Sequence, residues 1–399
     1  MNVPREVQSI FRVRDCGMMC VMSDRSPLLQ VSEAELEDLH RRLRDTRWPT
    51  RWPVGGWTAG TDMSELERLV SYWADGYDWP RWQATINELP SHFAVISDHR
   101  LHYLKFEGET PDATPIILTN GWPSTFFEMV ELAQRLASPS RYGSTDQLSF
   151  TVVVPSLPGF TFSSQRPTIP ADVATHELWH RLMTDELGFD KYVAHGGDLG
   201  AGTTSRLAAA HPEAVLGVHL MAVGTASQLD RTTLTREEEE YLDRVDAWNR
   251  DEGGYMHQQS TRPLTLAYGL SDSPTGLLAW ILDKYKAWSD NRGMLSDSFT
   301  DDFLLTQASL YWFTNTIGTS FRPYYEYGRG VDRGLAFVDA PTAITLFPAD
   351  ISQPPRAWAE RTHHVTHYVH APHGGHFAPT EVPDLLADDI RAFVSTLVR

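Results

Sequence analysis

An alternation of apolar strands and amphipathic helices occupies the sequence from about residue 93 to residue 225. Segments that alternate in polarity or form short apolar runs, separated by helical patterns, are typical of strands buried between two layers of helices. The alternation therefore predicts an α/β fold with a mostly parallel, doubly wound sheet. The predicted elements are a hairpin over 92–106, strands at 115–118, 150–154 and 192–194, helices at 126–136 and 173–187, and a helix after Gly200.

This alternation stops between residues 226 and 330, where the patterns are helical and rich in aromatic residues, and strands return at 343–347 and 364–369. A helical insertion in a sheet of this kind predicts a lid. Before the sheet, Ser32 and Glu35 have the spacing of a capping box and predict a helix over 32–45. We predict a flexible tail (1–26), an N-terminal helical arm (27–92), a first core segment (93–225), a helical lid (226–330) and a second core segment (331–399).

The charge balance narrows the classes of partner. Of 399 residues, 34 are Lys or Arg and 52 are Asp or Glu, which gives a formal net charge of −18. This sign disfavours nucleic acid and anionic membranes as partners, and the sequence contains no apolar run long enough to span a bilayer. The two cysteines, Cys16 and Cys20, are too few for a disulfide framework and lack the further ligands of a zinc site. We expect a cytoplasmic protein without metal or cofactor.

The segment from His195 to Gly200 reads His-Gly-Gly-Asp-Leu-Gly and stands between a predicted strand and a predicted helix. Small residues around one reactive side chain are typical of a nucleophile elbow, because this sharp turn forces unusual dihedral angles and close backbone contacts. Aspartate is also common in ordinary turns, but the flanking glycines favour a reactive Asp198. The sequence contains no Gly-x-Ser-x-Gly, which argues against a serine esterase.

A carboxylate nucleophile suits attack on an sp³ carbon, because water can hydrolyse the resulting alkyl ester. The leaving atom is then an epoxide oxygen or a halide. The ester step needs a general base, and His376 follows the last predicted strand in the appropriate chain order. Asp350 ends a predicted strand and is the candidate acid that orients His376. Weaker candidates for that acid are Asp339, Glu381 and Asp384.

Hydrolysis of the ester creates an oxyanion, which two backbone N–H groups must stabilise. The residue after the nucleophile, Leu199, supplies one. The turn that follows the first buried strand, Asn120-Gly121-Trp122-Pro123, supplies the other through the N–H of Trp122. Pro123 makes a tight turn with a cis peptide bond plausible here.

Together these segments resemble the microsomal-type epoxide hydrolase family of the α/β-hydrolase superfamily, over residues 27 to 397. The resemblance implies Asp198 as nucleophile, His376 as base and Asp350 as acid, and it adds Tyr255 and Tyr324 as donors to the epoxide oxygen. The residues alone do not separate Tyr324 from Tyr325. Relatives usually carry histidine where this chain has Asn120, and we expect activity to survive the change. Further matching segments are Arg47-Trp48-Pro49, 155–160, 254–256, 259–263, 272–274, Arg322-Pro323-Tyr324, Phe347-Pro348 and 374–377.

The resemblance implies hydrolysis of an epoxide to a vicinal diol, and the aromatic residues expected around the pocket indicate a lipophilic, aryl-bearing substrate. Detoxification and natural-product biosynthesis are both open as biological roles. Two alternatives stay open at this point: a haloalkane dehalogenase-like hydrolase and a non-catalytic binder of small molecules. The expected partner is a small-molecule epoxide, and a homodimer is left open. Aromatic residues expected to line the substrate pocket are Phe160, Trp312 and Phe377, together with Trp122, Tyr268, Trp280 and Trp288.

Overall fold

The computed structural model describes residues 27–143, 148–331 and 334–398. The predicted tail over 1–26, with both cysteines, lies outside the described residues. Eight strands within the described ranges form one sheet. These strands are β1 (Ser91–Ile96), β2 (His99–Phe106), β3 (Thr114–Thr119), β4 (Phe150–Pro155), β5 (Tyr192–Gly196), β6 (Val215–Leu220), β7 (Val338–Leu346) and β8 (His363–His370).

The order of the strands in the sheet is β1-β2-β4-β3-β5-β6-β7-β8. The hairpin β1–β2 and the pair β2–β4 are antiparallel, and all pairs from β4 to β8 are parallel. The central strands β3, β4 and β5 are buried along nearly their whole length. This arrangement confirms the predicted α/β fold with a mostly parallel sheet.

Sixteen α-helices are present in the described residues, and they cover the sheet, form the arm or lie between β6 and β7. Helices α7 to α13 occupy the stretch predicted as a lid. The helices are α1 (Glu33–Arg44), α2 (Met63–Asp75), α3 (Trp79–Glu88), α4 (Val130–Ala137), α5 (Thr175–Arg181), α6 (Leu199–Ala210), α7 (Arg236–Asp251), α8 (Gly254–Thr261), α9 (Pro263–Asp272), α10 (Pro274–Ala287), α11 (Asp301–Thr314), α12 (Ile317–Ser320), α13 (Arg322–Gly328), α14 (Arg356–Glu360), α15 (Ala378–Glu381) and α16 (Pro383–Val394).

The local expectations hold with small shifts of boundary. Ser32 caps α1 in a capping box with Glu35, as predicted. The helix expected at 126–136 begins as a 3₁₀ turn over Phe126–Met129 and continues as α4. The helix expected at 173–187 consists of α5 and a π-helical turn over Leu182–Glu186. Strand β6 and helix α16 were not predicted.

The N-terminal arm, residues 27–92, packs on the lid helices. Buried Trp73 of α2 donates a hydrogen bond from its indole N–H to Ser309 of α11 at 3.1 Å. Arg42 of α1 donates to the backbone carbonyl and the carboxylate of Asp272, at the end of α9. These contacts explain how a segment too small to bury a core of its own is folded.

Among the described residues, no helix is both long and apolar enough to span a membrane.

Candidate active site

Asp198 lies at the sharp turn between β5 and α6. Its backbone has φ +50° and ψ −124°, a conformation that L-residues rarely adopt. Gly200 makes this turn possible, because a Cβ there would lie 2.0 Å from the carbonyl oxygen of Thr119 in β3. The turn leaves the carboxylate of Asp198 with 16% of its side chain exposed. The structure therefore has the elbow geometry that the glycines predict.

His376 lies between Asp198 and Asp350. Its Nδ1 is 2.6 Å from Oδ1 of Asp350, and its Nε2 is 3.8 Å from Oδ2 of Asp198. The backbone N–H of His376 donates to the carbonyl of Trp288, whose ring also packs edge-on against the imidazole. The three predicted residues are thus brought together, with the imidazole held by contacts from two elements.

The competing acids occupy other positions. The carboxylate of Glu381 accepts the backbone N–H groups of Asp290 and Phe377, so it supports the loop rather than the imidazole. Asp384 is exposed and pairs with Arg135. Of the candidate acids, Asp350 is the one that contacts His376.

The pKa values of His376 and Asp198 depend on each other. Burial by itself lowers the pKa of His376, but Asp350 and then Asp198 outweigh it and raise that pKa to about 9. Burial also raises the pKa of Asp198, and the positive charge on His376 opposes the rise. At neutral pH His376 is therefore an imidazolium, and its positive charge favours the ionised form of Asp198.

Two backbone donors meet the carboxylate of Asp198. The N–H of Trp122 donates to Oδ1 at 3.0 Å, and the N–H of Leu199 also hydrogen-bonds the carboxylate. The peptide bond between Trp122 and Pro123 is cis. Asn120 donates from its side-chain amide to the carbonyls of Gly121 and Ser124, at 2.9 and 3.2 Å. The side chain of Asn120 thus supports this turn through its hydrogen bonds to the backbone.

The phenols of Tyr255 and Tyr324 lie above Asp198, on α8 and α13. Their ring centroids are 6.0 Å apart, in an edge-to-face arrangement. Burial, and next the charge of Asp198, raise the pKa of both phenols, so both remain protonated. Tyr325 instead packs its ring under the guanidinium of Arg329, 3.3 Å from the ring centre. Of the two adjacent tyrosines, Tyr324 is the one on the cavity.

A cavity of about 480 Å³ separates the elbow from the lid, and its size is typical of a small-molecule site. Asp198, Leu199, Asp350 and His376 line the core side, and the two tyrosines line the lid side. Much of the remaining wall is apolar. These wall residues include Leu157, Val223, Val245, Trp248, Met256 and Ile351.

The aromatic residues expected on this cavity mostly lie elsewhere. Phe160 is buried against the ring of Tyr311, and Trp312 lies beside the guanidinium of Arg42 on the arm side of α11. Phe377 stacks on Tyr285 and reaches only a second, smaller cavity under the elbow. The prediction that these three residues line the substrate cavity is wrong, because each side chain packs into a layer beside or behind it.

The other aromatic residues expected at the pocket lie in different environments. Tyr268 is 78% exposed, so it is not a pocket residue. Trp280 donates its indole N–H to Gln259 in the lid. Trp288 and Trp122 are buried around the tyrosines and His376, and the ring of Trp122 stacks on Tyr255 at 5.4 Å. Those two tryptophans form the packing that holds the reactive groups.

Helix α7 contributes cavity residues that the sequence reading missed. Tyr241, Val245 and Trp248 lie at i, i+4 and i+7 and share the face toward the cavity. The first turn of α7 carries an acidic run, which is typical of a solvated helix face. Within that run, however, Glu238 is fully buried and pairs with Arg361. The apolar spacing was the signal that could have identified this wall.

One cluster of potential metal ligands among the described residues lies away from the cavity. Within the described parts of the chain, His180, His211 and Glu213 place potential ligand atoms within 4.8 Å of one another. None of the three lines the cavity. The candidate active site itself offers two carboxylates and an imidazole that already bind one another or the backbone, and the absence of a metal from the reaction stays a prediction.

Sequence comparison identifies related proteins. The family described as "Epoxide hydrolase N terminus" matches residues 25–129, and the family described as "alpha/beta hydrolase fold" matches residues 114–381. A relative from Stigmatella aurantiaca, described as an epoxide hydrolase, is 38% identical over 91% of this chain and 83% of its own length. Epoxide hydrolase 1 of Sus scrofa is 31% identical over 92% of this chain and 88% of its own length.

Comparison with solved structures also identifies epoxide hydrolases. The Aspergillus niger epoxide hydrolase superimposes with a TM-score of 0.80 at 28% identity, over 94% of this chain and 97% of that one. The juvenile hormone epoxide hydrolase of the silkworm Bombyx mori gives a TM-score of 0.81 at 26% identity, over 92% and 93%. The chain therefore belongs to the epoxide hydrolases, a family of hydrolytic enzymes built on the α/β-hydrolase fold.

Proposed function

We propose that this epoxide hydrolase opens a lipophilic, aryl-bearing epoxide through a covalent ester at Asp198 and releases a vicinal diol. One observation carries the proposal: a carboxylate, an imidazole and two phenols converge on the same apolar cavity. An aryl group fits the wall formed by Trp248 and its apolar neighbours. The protonated phenols provide the donors that an epoxide oxygen needs.

In the first step, Oδ2 of Asp198 attacks an epoxide carbon, and the carbon–oxygen bond of the ring breaks. The released oxygen takes a proton from Tyr255 or Tyr324, since an alkoxide is a poor leaving group without an acid. Oδ1 is the oxygen held by the N–H of Trp122. It becomes the carbonyl oxygen of the ester and remains within reach of the oxyanion donors.

In the second step, His376 acts as the base. Its raised pKa depends in part on the negative charge of Asp198, and ester formation removes that charge. The pKa of the imidazole then falls, so the imidazolium releases its proton through solvent to the tyrosinate that the first step leaves. Neutral His376 can then take a proton from water as the water attacks Cγ of the ester. Asp350 holds Nδ1 and stabilises the imidazolium that forms.

A single turnover in ¹⁸O-labelled water tests the ester. We expect label in the carboxylate of Asp198 after one turnover of styrene oxide, and loss of diol formation in Asp198→Ala. Diol formation without label in the protein would refute the covalent route, because direct attack by water leaves the enzyme unlabelled. Halide release from dibromoethane measures the dehalogenase alternative, and the paired phenols favour the epoxide.

A further inference from the structure

Glu128 carries a buried carboxyl group that is not part of the triad formed by Asp198, Asp350 and His376. It lies in the 3₁₀ turn Phe126–Met129, a few residues after the oxyanion turn, and is 5% exposed. Burial raises its pKa to about 8, while the charge of His376 and a hydrogen bond with Ser124 oppose the rise. A carboxyl buried in this way costs free energy unless its oxygens find partners.

A small cavity connects this carboxyl to the reactive group. The cavity has a volume of about 10 Å³ and is lined by Glu128, Asp198 and His376, together with the oxyanion turn. Its volume is close to the minimum that accommodates one water molecule. Three polar side chains around it are enough to bind that molecule.

The small cavity and the substrate cavity share two reactive residues and are otherwise lined by different residues. Asp198 and His376 line both of them. Tyr255 and Tyr324 line only the large cavity, and Glu128 lines only the small one. An epoxide held by the phenols therefore leaves the small cavity unfilled, and the ester that forms at Asp198 can be approached from that side.

Neighbouring carboxyls are committed to other partners. Both oxygens of Glu381 accept backbone N–H groups. Glu131, one turn further along α4, pairs with Arg135. Of these three glutamates, Glu128 is the one that lines the small cavity and can accept a hydrogen bond there.

We propose that Glu128 binds the hydrolytic water in the small cavity and orients it toward the ester. This inference rests on the ester mechanism proposed above and adds the position of its second substrate. The water donates one hydrogen to Nε2 of His376 and the other to a carboxyl oxygen of Glu128. Its oxygen lone pair then points at Cγ of Asp198.

Hydrolysis of the ester transfers the water oxygen to Asp198 and one proton to the diol. The water oxygen bonds to Cγ of Asp198 while its proton passes to Nε2 of His376, and the negative charge develops on the oxygen held by Trp122 and Leu199. When the bond from Cγ to the diol oxygen breaks, the imidazolium returns that proton to the diol. Asp198 retains the water oxygen as a carboxylic acid and passes its remaining proton to His376, which restores the resting imidazolium and carboxylate. Glu128 ends the step unchanged, since it only accepts a hydrogen bond.

Single-turnover kinetics of two Glu128 variants test the role. Glu128→Leu removes the acceptor at similar size, and Glu128→Gln keeps a carbonyl oxygen in its place. In Glu128→Leu we expect ester formation within about 3-fold of wild type and ester hydrolysis slower by about 10²-fold, the loss typical of a mispositioned reactant. The ester should then accumulate in the intact mass spectrum. Glu128→Gln should hydrolyse the ester within about 10-fold of wild type, because a neutral acceptor suffices.

Glu131→Gln is the matched control, since it changes an acidic side chain nearby without touching either cavity, and both steps should stay within 2-fold of wild type. Equal slowing of both steps in Glu128→Leu, or ester hydrolysis at the wild-type rate, would overturn the water-binding role. Absence of any ester in wild-type enzyme would instead refute the ester mechanism. If the leucine variant does not fold, Glu128→Asp, which withdraws the carboxyl by one methylene, should also accumulate ester, and wild-type hydrolysis in it would equally overturn the role.

Discussion

Replacement of Asp350 by asparagine should separate the two half-reactions. The Nδ1 of His376 lies 2.6 Å from Oδ1 of Asp350, so the carboxylate fixes the imidazole tautomer that leaves Nε2 free for water. An amide at this position can donate to Nδ1 and so place the proton on Nε2. Ester formation does not use the imidazole as a base, and we expect it to stay within about 10-fold of wild type, because it depends on Asp198 and the phenols.

The magnitude follows from the charges at the site. The pKa of His376 is raised from 6.5 to about 9, and at 1.36 kcal/mol per unit this corresponds to about 3 kcal/mol of preference for the imidazolium. Asp350 supplies the larger share of that preference, with Asp198 next, and burial opposes both. Replacement of Asp350 therefore removes both the preferred imidazole tautomer and the stabilisation of the positive charge that develops on His376. Changes of this kind lower kcat by about 10⁴-fold.

Rapid-quench measurements with styrene oxide, followed by intact mass analysis, distinguish the steps. In Asp350→Asn we expect a burst of ester that persists and a steady-state kcat lower by about 10⁴-fold. Asp384→Asn is the control, because Asp384 is exposed and pairs with Arg135 at the surface, and it should retain wild-type turnover. A variant at Asp350 that forms ester as slowly as it hydrolyses it would refute the assignment of Asp350 to the second step.

Tyr255→Phe and Tyr324→Phe should each slow ester formation by 10-fold or more, and the double variant by about 10² to 10⁴-fold, in single-turnover assays; a double variant with wild-type ester formation would contradict their role as donors. Gly200→Ala should prevent the elbow from forming, since its Cβ would lie 2.0 Å from a backbone carbonyl, and soluble expression together with circular dichroism would reveal a tolerated change. Trp73→Ala should lower the free energy of unfolding in urea by about 3–5 kcal/mol, because it removes a buried indole between arm and lid. The pKa of His376 is raised on folding, so its contribution to stability is complete below pH 6.5 and is lost as the pH rises to about 9; the Tm of wild type should fall more across that range than the Tm of His376→Gln.

The reactive residues could be predicted because their signals are local or follow chain order. Asp198 stands in a turn whose glycines have a direct steric reason, and the structure shows that reason at Gly200. His376 follows the last strand in the order that the fold requires. Asp350 could be placed only as the best of several acids, because the contact that distinguishes it, with His376, joins positions 26 residues apart.

The walls of the cavity could not be predicted in the same way. Phe160 and Trp248 are both aromatic residues near the core, and only packing decides that Trp248 meets the cavity while Phe160 meets Tyr311. Strand β6 was missed because Gly217 and His219 interrupt its apolar pattern. In the structure His219 is fully buried and hydrogen-bonds Asp389, so a polar residue there is compatible with a central strand.

The contacts between the arm and the lid have a consequence for how the protein can be divided. Arg68 of α2 binds the carboxylate of Asp301 at the start of α11, and Thr61 donates to the carbonyl of Ala279 in α10. Truncation of the first 92 residues would leave both anchors and the site under Trp73 open to solvent. The N-terminal helices are therefore not a separable unit, because they hold the lid helices in place above the candidate active site.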